Sequence, residues 1–240
     1  MDLPALAQAL GNIEIQEREM IPEAAITVSG ERFCIYLQSN FKNRPGQRVR
    51  RRFSLAHEIA HTFFFQFQGG DLRPMRGGPR GDDLELACHE AAGQLLMPTC
   101  LLPFELDQRR MAGGEDIIRF ARTYDVSLET VLRRLRNHPA VEAQDATFAI
   151  CETGVIRYTL YPAWLGSLLR RPAGRSIQSW LSTGEVTLPV WFRASGLTVE
   201  ALSDGSLFAR GELASLSARR IPCGTVDLYE IRRCSADAHI

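Results

Sequence analysis

The 240-residue sequence predicts an α+β fold, ordered as a domain over residues 1–112, a helix-turn-helix-like segment over 113–138 and a mixed α/β domain over 139–240. Three patterns predict it. The β-rich runs Ala24 to Ser29 and Glu31 to Gln38 meet near Ser29-Gly30 and read as a hairpin. Apolar residues then recur at helical spacing from about Arg50 to Gln66, and a second helical pattern runs from Asp82 or Asp83 to Met97, closed by Pro98. Past His138-Pro139 the chain changes to short strands mixed with amphipathic pieces.

Taken in order, residues 2–10 form a short helix stopped by Gly11, and an extended stretch starts near Ile13. Pro45 and Gly46 break the chain after the hairpin. In the long helix, Leu55, Ile59 and Phe63 make one apolar row and Ala56, Ala60 and Phe64 the next, so the helix is largely buried. Residues 67–81 carry glycine, proline and arginine without periodicity and read as a loop, a lid or a simple connector. Asp82 or Asp83 caps the next helix. Two further helices, 114–124 and 127–137, are separated by Asp125-Val126. Strands are expected at 145–152, 155–162, 186–194 and 225–234, with an amphipathic piece at 163–170.

Composition narrows the function classes. The 28 Lys and Arg residues balance 28 Asp and Glu residues, so no global field draws the chain to nucleic acid or an anionic membrane. Its start lacks a basic, then apolar, leader pattern, and no apolar run is long enough to cross a bilayer, so a cytoplasmic protein without a membrane partner is expected. Six cysteines without CxxC spacing argue against a zinc ribbon and against a disulfide framework.

The chemistry concentrates in His57-Glu58-Ile59-Ala60-His61. Histidines four apart on a helix project from one face, close enough for both imidazoles to hold one ion. Glu58 then lies beside the metal rather than on it, where a carboxylate can take a proton from an activated water. A pair of histidines and a glutamate on a helix that is apolar elsewhere would be costly unless paired or metal-bound. A catalytic zinc needs three protein ligands and an open position. The candidates for the third are Asp82, Asp83, Glu85, His89 and Glu90, all on or just before the following helix. Glu85 is chosen because it shares a helical stripe with Cys88, His89, Ala92 and Leu96, while Ala87, Ala91, Ala92 and Gly93 allow close helix approach.

The segments RRFSLAHEIAH and ELACHEAAGQLLMP resemble the ImmA/IrrE family of metallo-endopeptidases, which joins an arginine-phenylalanine lead-in, a HExxH helix and a second helix ending in LLMP. Matching Leu95-Leu96-Met97-Pro98 to that ending places the family's ligand glutamate on Glu85. The family often has asparagine where this chain has His89, which leaves His89 as an orienting partner of Glu85, a substrate contact or an alternative ligand. Over residues 1–137 the resemblance implies a zincin-like domain with a gluzincin-like His57, His61 and Glu85 site for Zn2+, replaceable by Mn2+ in vitro, and Glu58 as catalytic base. It implies a narrow substrate as well, a helix-turn-helix transcriptional repressor whose cleavage triggers a stress or mobile-element response. Radiation-response members follow the peptidase with a helix-turn-helix-like segment and a GAF-like sensor domain, so residues 139–240 are expected to sense a signal or hold the substrate.

Two rival readings stand beside this one. A DNA-binding regulator would use Arg119, Arg122, Arg133, Arg134 and Arg136, but Val126, Leu128, Val131, Leu132 and Leu135 make the second helix an ordinary core element, and DNA binding is not favoured. A metal-stabilised scaffold would close the fourth position with Cys88 or His89, but has no need of Glu58. Arg48, Arg50, Arg51 and Arg52 are either a solvated face or a grip on acidic substrate, and the strand from Cys34 to Leu37 is expected to be the sheet edge that takes an extended substrate.

Overall fold

The computed structural model describes residues 1–40, 46–102, 113–136, 138, 146–160, 173–182, 198–210 and 215–234. Contacts divide the chain into two units, Met1–Pro103 with Arg122–Ser127, and Phe104–Ala121 with Leu128–Ile240. Helices and strands are mixed in the α+β manner the sequence predicts.

In the first unit, Asp2 caps helix α1 (Leu3–Leu10) by accepting the Ala5 N–H at 3.1 Å, and Gly11 ends it. Strands β1 (Ile13–Arg18), β2 (Ala24–Ser29) and β3 (Arg32–Gln38) form a sheet in the order β1-β3-β2. The expected hairpin is β2–β3, with Ile26 opposite Ile35. Alternation along β3 buries Phe33, Ile35 and Leu37. The expectation that Cys34 to Leu37 offers a free edge is overturned: β3 is parallel to β1 on one side and antiparallel to β2 on the other, so its backbone groups are already used. The edges of this sheet are β1 and β2.

Helix α2 (Gln47–Thr62) buries Leu55, Ala56, Ile59 and Ala60, as the apolar rows predict, but Phe63 and Phe64 at the ends of those rows fall beyond the helix and Phe63 is exposed. The helix stops at Thr62 rather than Gln66. Phe65–Gln68 (β4) instead pairs antiparallel with Asp71–Pro74 (β5) around Gly69-Gly70, whose φ values of 65° and 90° suit a tight hairpin turn. Part of the expected loop 67–81 is therefore a ribbon, and the glycines that hid its alternation are what make its turn. Helix α3 (Asp82–Leu96) begins after Gly81, so Asp82 and Asp83 lie in its first turn, near the positive end of its dipole, rather than at the cap.

The arginines ahead of the motif are committed within this unit. Arg48 and Arg52 both pair with Asp125, Arg50 pairs with Glu23, and Arg51 with Glu17. Their partners come from β1, the start of β2 and the turn at 125, so the group ties α2 to its surroundings. Asp125 holds a left-handed φ of 53°.

The second unit contains most of α4 (Gly114–Tyr124) and all of α5 (Leu128–Leu135). Val131, Leu132 and Leu135 are buried, Arg119 pairs with Asp116 at 2.7 Å, and Arg133 pairs with Glu129 at 2.7 Å. Six strands follow: β6 (Ala146–Glu152), β7 (Val155–Leu160), β8 (Thr198–Ala201), β9 (Leu207–Arg210), β10 (Ser215–Cys223) and β11 (Val226–Cys234). They form an antiparallel sheet in the order β7-β6-β11-β10-β9-β8. Trp180 and Leu181 of α6 (Ile177–Ser182) share a buried cluster with Ala149, Cys151, Leu216 and Ile231 of the sheet. Strands β6, β7 and β11 match expected runs. The expected segments 163–170 and 186–194 lie outside the described residues. No helix among the described residues is long and apolar enough to cross a membrane.

Glu230 on β11 is a buried carboxylate with its partners assembled around it. It accepts from the Gly114 N–H at 3.1 Å and from Arg219 at 2.6 Å, pairs with Arg232, and Arg219 also holds Glu115. The approach requires glycine: a Cβ at residue 113 would lie 2.7 Å from Glu230 Oε1, and one at 114 would lie 2.4 Å from Ile221. Burial alone would raise the Glu230 pKa, but the hydrogen bonds from Arg219, Gly114 and Arg232 outweigh it and hold the group below its ordinary value of 4.5. A depressed carboxylate pKa stabilises the fold above the unfolded value and loses that contribution as pH falls through the folded one. Glu230→Gln should therefore cost about 3 kcal/mol at neutral pH by urea denaturation, and the gap from wild type should shrink below pH 4.5. A gap that does not change with pH would contradict the assignment.

Candidate metal centre

Helix periodicity sets two of the three converging groups. His57 and His61 lie one turn apart on α2, with their Nε2 atoms 3.1 Å from each other. The third comes from another helix. Glu85, in the first turn of α3, brings Oε2 to 3.1 Å from His57 Nε2 and Oε1 to 3.6 Å from His61 Nε2. Helices α2 and α3 pack together, and their buried residues include the small Ala56 and Ala60 on α2 and Cys88, Ala92 and Gly93 on α3.

These three side chains are a group able to hold a metal ion, one ligand atom from each lying within 4.8 Å of the others. Ligand atoms around a tetrahedral ion with bonds of about 2.0–2.1 Å are about 3.3 Å apart, close to the 3.1 Å of the His57–His61 and His57–Glu85 pairs. The histidine side chains are 13% and 12% exposed and the glutamate 56%, so the group opens on the Glu85 side. Burial lowers the His57 pKa most, helped by His61 and His89 against the opposing pull of Glu85. Burial is also the main cause of the lowered His61 value. Neutral imidazoles are the form that binds a metal.

Glu58 is buried, and burial, followed by the nearby charge of Glu85, pushes its carboxyl up to about 7. His89, one turn beyond Glu85, places its ring edge-on to His57 with centroids 4.7 Å apart, and 5.4 Å from the ring of Phe53. It stands outside the three-residue group, as do Asp82, Asp83 and Glu90. A cavity of about 350 Å³ adjoins these residues, lined by Glu23, Ala24, Arg50, Phe53, Ser54, His57, Glu58 and His89.

Residues 29–136 match the peptidase-family model described as the IrrE N-terminal-like domain. This stretch belongs to the ImmA/IrrE family. This ImmA/IrrE match spans the β2–β3 turn, β3, both helices of the candidate centre and the helical pair after them. No protein of curated function matches the chain. A solved structure, a Mycobacterium tuberculosis transcriptional regulator, is similar with a TM-score of 0.47 and 16% sequence identity, over 96% of this chain and 69% of that one.

Sequence reasoning missed the cavity walls. Phe53 was within reach, since it lies four residues before His57 on the same helix. Glu23 and Ala24 gave no signal, because they approach α2 from the start of β2 through tertiary packing alone.

Cys88 is fully buried, and burial, then Glu85 and Glu58, push its thiol up to about 12. In the folded protein at pH 8, iodoacetamide should label exposed Cys100 and spare Cys88, read site by site by peptide mass spectrometry. Equal labelling of the two would contradict the packing of this helix pair.

Proposed function

We propose that the chain is a zinc-dependent endopeptidase with a zincin-like catalytic domain, acting in the cytoplasm on a specific protein, a helix-turn-helix transcriptional repressor. The observation that carries the catalytic reading is the convergence of His57, His61 and Glu85 beside a buried Glu58. Two imidazoles and a carboxylate are a donor set of catalytic zinc sites, and the match of residues 29–136 to a peptidase-family model supports the same reading.

In this reading His57, His61 and Glu85 hold the ion. A zinc ion bound there supplies Lewis acidity, which polarises the scissile carbonyl and makes water nucleophilic near neutral pH. Glu58 takes the proton of the attacking water and returns it to the leaving amine, a role suited to a carboxyl whose pKa is about 7. The extended substrate lies along the edge of β2, because β3 is paired on both sides and Ala24 of β2 lines the cavity that also contains Glu58. Residues 139–240 form a GAF-like domain that senses a signal or holds the repressor. The antiparallel sheet with α6 in its buried cluster supports that reading at the level of architecture.

Two measurements test the proposal. After dialysis, metal emission should find zinc in wild type and in Glu58→Gln, with His57→Ala, His61→Ala and Glu85→Ala each weakening it beyond the ~10–100-fold cost of losing an outer partner. Equal zinc in all five proteins would sink the ligand assignment. Incubated with zinc and the helix-turn-helix repressor encoded nearest to it, the wild type should cleave at one site, and Glu58→Gln should be slower by at least ~100-fold. Undiminished cleavage by the variant would remove Glu58 from the mechanism.

A further inference from the structure

We infer that His89 is a further catalytic residue, which donates a ring N–H to the scissile carbonyl oxygen as that oxygen takes on negative charge. The inference rests on the peptidase reading above, in which no side chain yet meets the developing oxyanion.

Three roles are open to His89 by sequence, and its contacts remove two of them. It is not a ligand, since the ligand atoms of His57, His61 and Glu85 converge without it. It does not orient a ligand either. A histidine that binds a metal almost always donates its other ring N–H to an outer partner, yet His57 Nδ1 is buried and meets no partner among the described residues. His89 touches His57 ring against ring, with centroids 4.7 Å apart and planes at 60°. Among the described residues no hydrogen bond or ion pair, to Glu85 or to any other group, engages the His89 nitrogens. Contact with substrate is the role that remains.

The surroundings of the ring suit that role. His89 lines the cavity together with His57 and Glu58. A charge on it acts on both His57 and His61, so the ring stands beside both imidazoles of the candidate centre. A neutral imidazole carries one N–H in either tautomer. The side chain is exposed, but packing holds its ring: Phe53 lies against it with centroids 5.4 Å apart and 37° between the planes, and His57 follows one turn later on α2. A donor fixed by packing before the substrate arrives needs no reorganisation when charge develops.

In the step itself, the water oxygen bonds to the carbonyl carbon, its proton passes to Glu58, and the π pair of the carbonyl moves onto the oxygen that faces His89. When the C–N bond breaks, that pair re-forms the carbonyl, and the departing nitrogen takes the proton from Glu58. His89 keeps its own proton throughout and changes no charge.

The test compares two small probes that share a leucinamide tail, by calorimetry on zinc-loaded protein. N-phosphoryl-leucinamide presents charged tetrahedral oxygens, as the oxyanion does, whereas mercaptoacetyl-leucinamide grips a metal through sulfur. His89→Ala should weaken the phosphoryl probe at least ~10-fold and the thiol probe less than ~3-fold. Either His89→Asn or His89→Gln, whose amide N–H replaces one ring nitrogen or the other, should recover most of that loss. Zinc affinity, by competition with a chromophoric chelator, should stay within ~3-fold in all three variants, because a fall of ~10–100-fold is the mark of an outer partner. Retained zinc also shows that the fold is kept. With the repressor as substrate, His89→Ala should lower kcat ~100-fold or more and leave KM nearly unchanged. If both probes weaken equally, if neither weakens, or if zinc affinity falls ~10-fold, the inference fails and the peptidase reading stands. If neither probe binds the wild type, the kcat and KM comparison decides. If the repressor is not cleaved either, the peptidase reading falls and takes the inference with it.

Discussion

The packing of α2 on α3 is the contact on which the candidate centre depends. One helix can present His57 and His61 together, since they are four residues apart on a rigid element. It cannot present Glu85, which reaches them only if α3 approaches closely. Close approach is a matter of side-chain volume, and the buried residues of the two helices include Ala56, Ala60, Cys88, Ala92 and Gly93. Larger groups there would separate the carboxylate from the imidazoles, and a shift of one ångström is enough to spoil a metal site.

The first half of α2 is held differently. Arg48, Arg50, Arg51 and Arg52 pair with carboxylates drawn from three other parts of the same unit. An isolated surface pair contributes little, about 0–1 kcal/mol. Four arginines within five residues, paired with three carboxylates, have another effect: they restrict rotation of the helix about its axis, and so the direction in which His57 and Glu58 point. The Arg50–Glu23 pair belongs to this set and also lines the cavity. One interaction thus orients the helix and lines the cavity.

The second unit contains the opposite solution to buried charge. Glu230 is as buried as the apolar residues around it, yet it keeps its charge because three donors meet it and two glycines let the backbone come close. At Glu58 burial, reinforced by the charge of Glu85 and not offset by hydrogen bonds from arginine, moves the pKa up instead of down. The contrast lies in the partners and not in the burial. It separates a carboxylate that fixes structure from one able to exchange a proton near neutral pH.

Local pattern was enough for much of this. The α+β class, the β2–β3 hairpin, the buried faces of α2 and α3 and the pairing of His57 with His61 all follow from periodicity, which acts over a few residues and is written in the sequence. Glu85 was legible as well, because its stripe and the small residues beside it imply a second packed helix. What sequence did not determine depends on contacts between distant segments. The centre of the sheet fell to β3, closing the expected substrate edge, because β3 returns to pair with β1 as well as with β2. The ribbon β4–β5 emerged where glycines had suggested a loop, since its pairing is satisfied only across the turn. The arginines found carboxylates at Glu17, Glu23 and Asp125, and Phe53 and His89 became the walls of one cavity. Periodicity determined which residues face inward; only tertiary packing decided which of them meet.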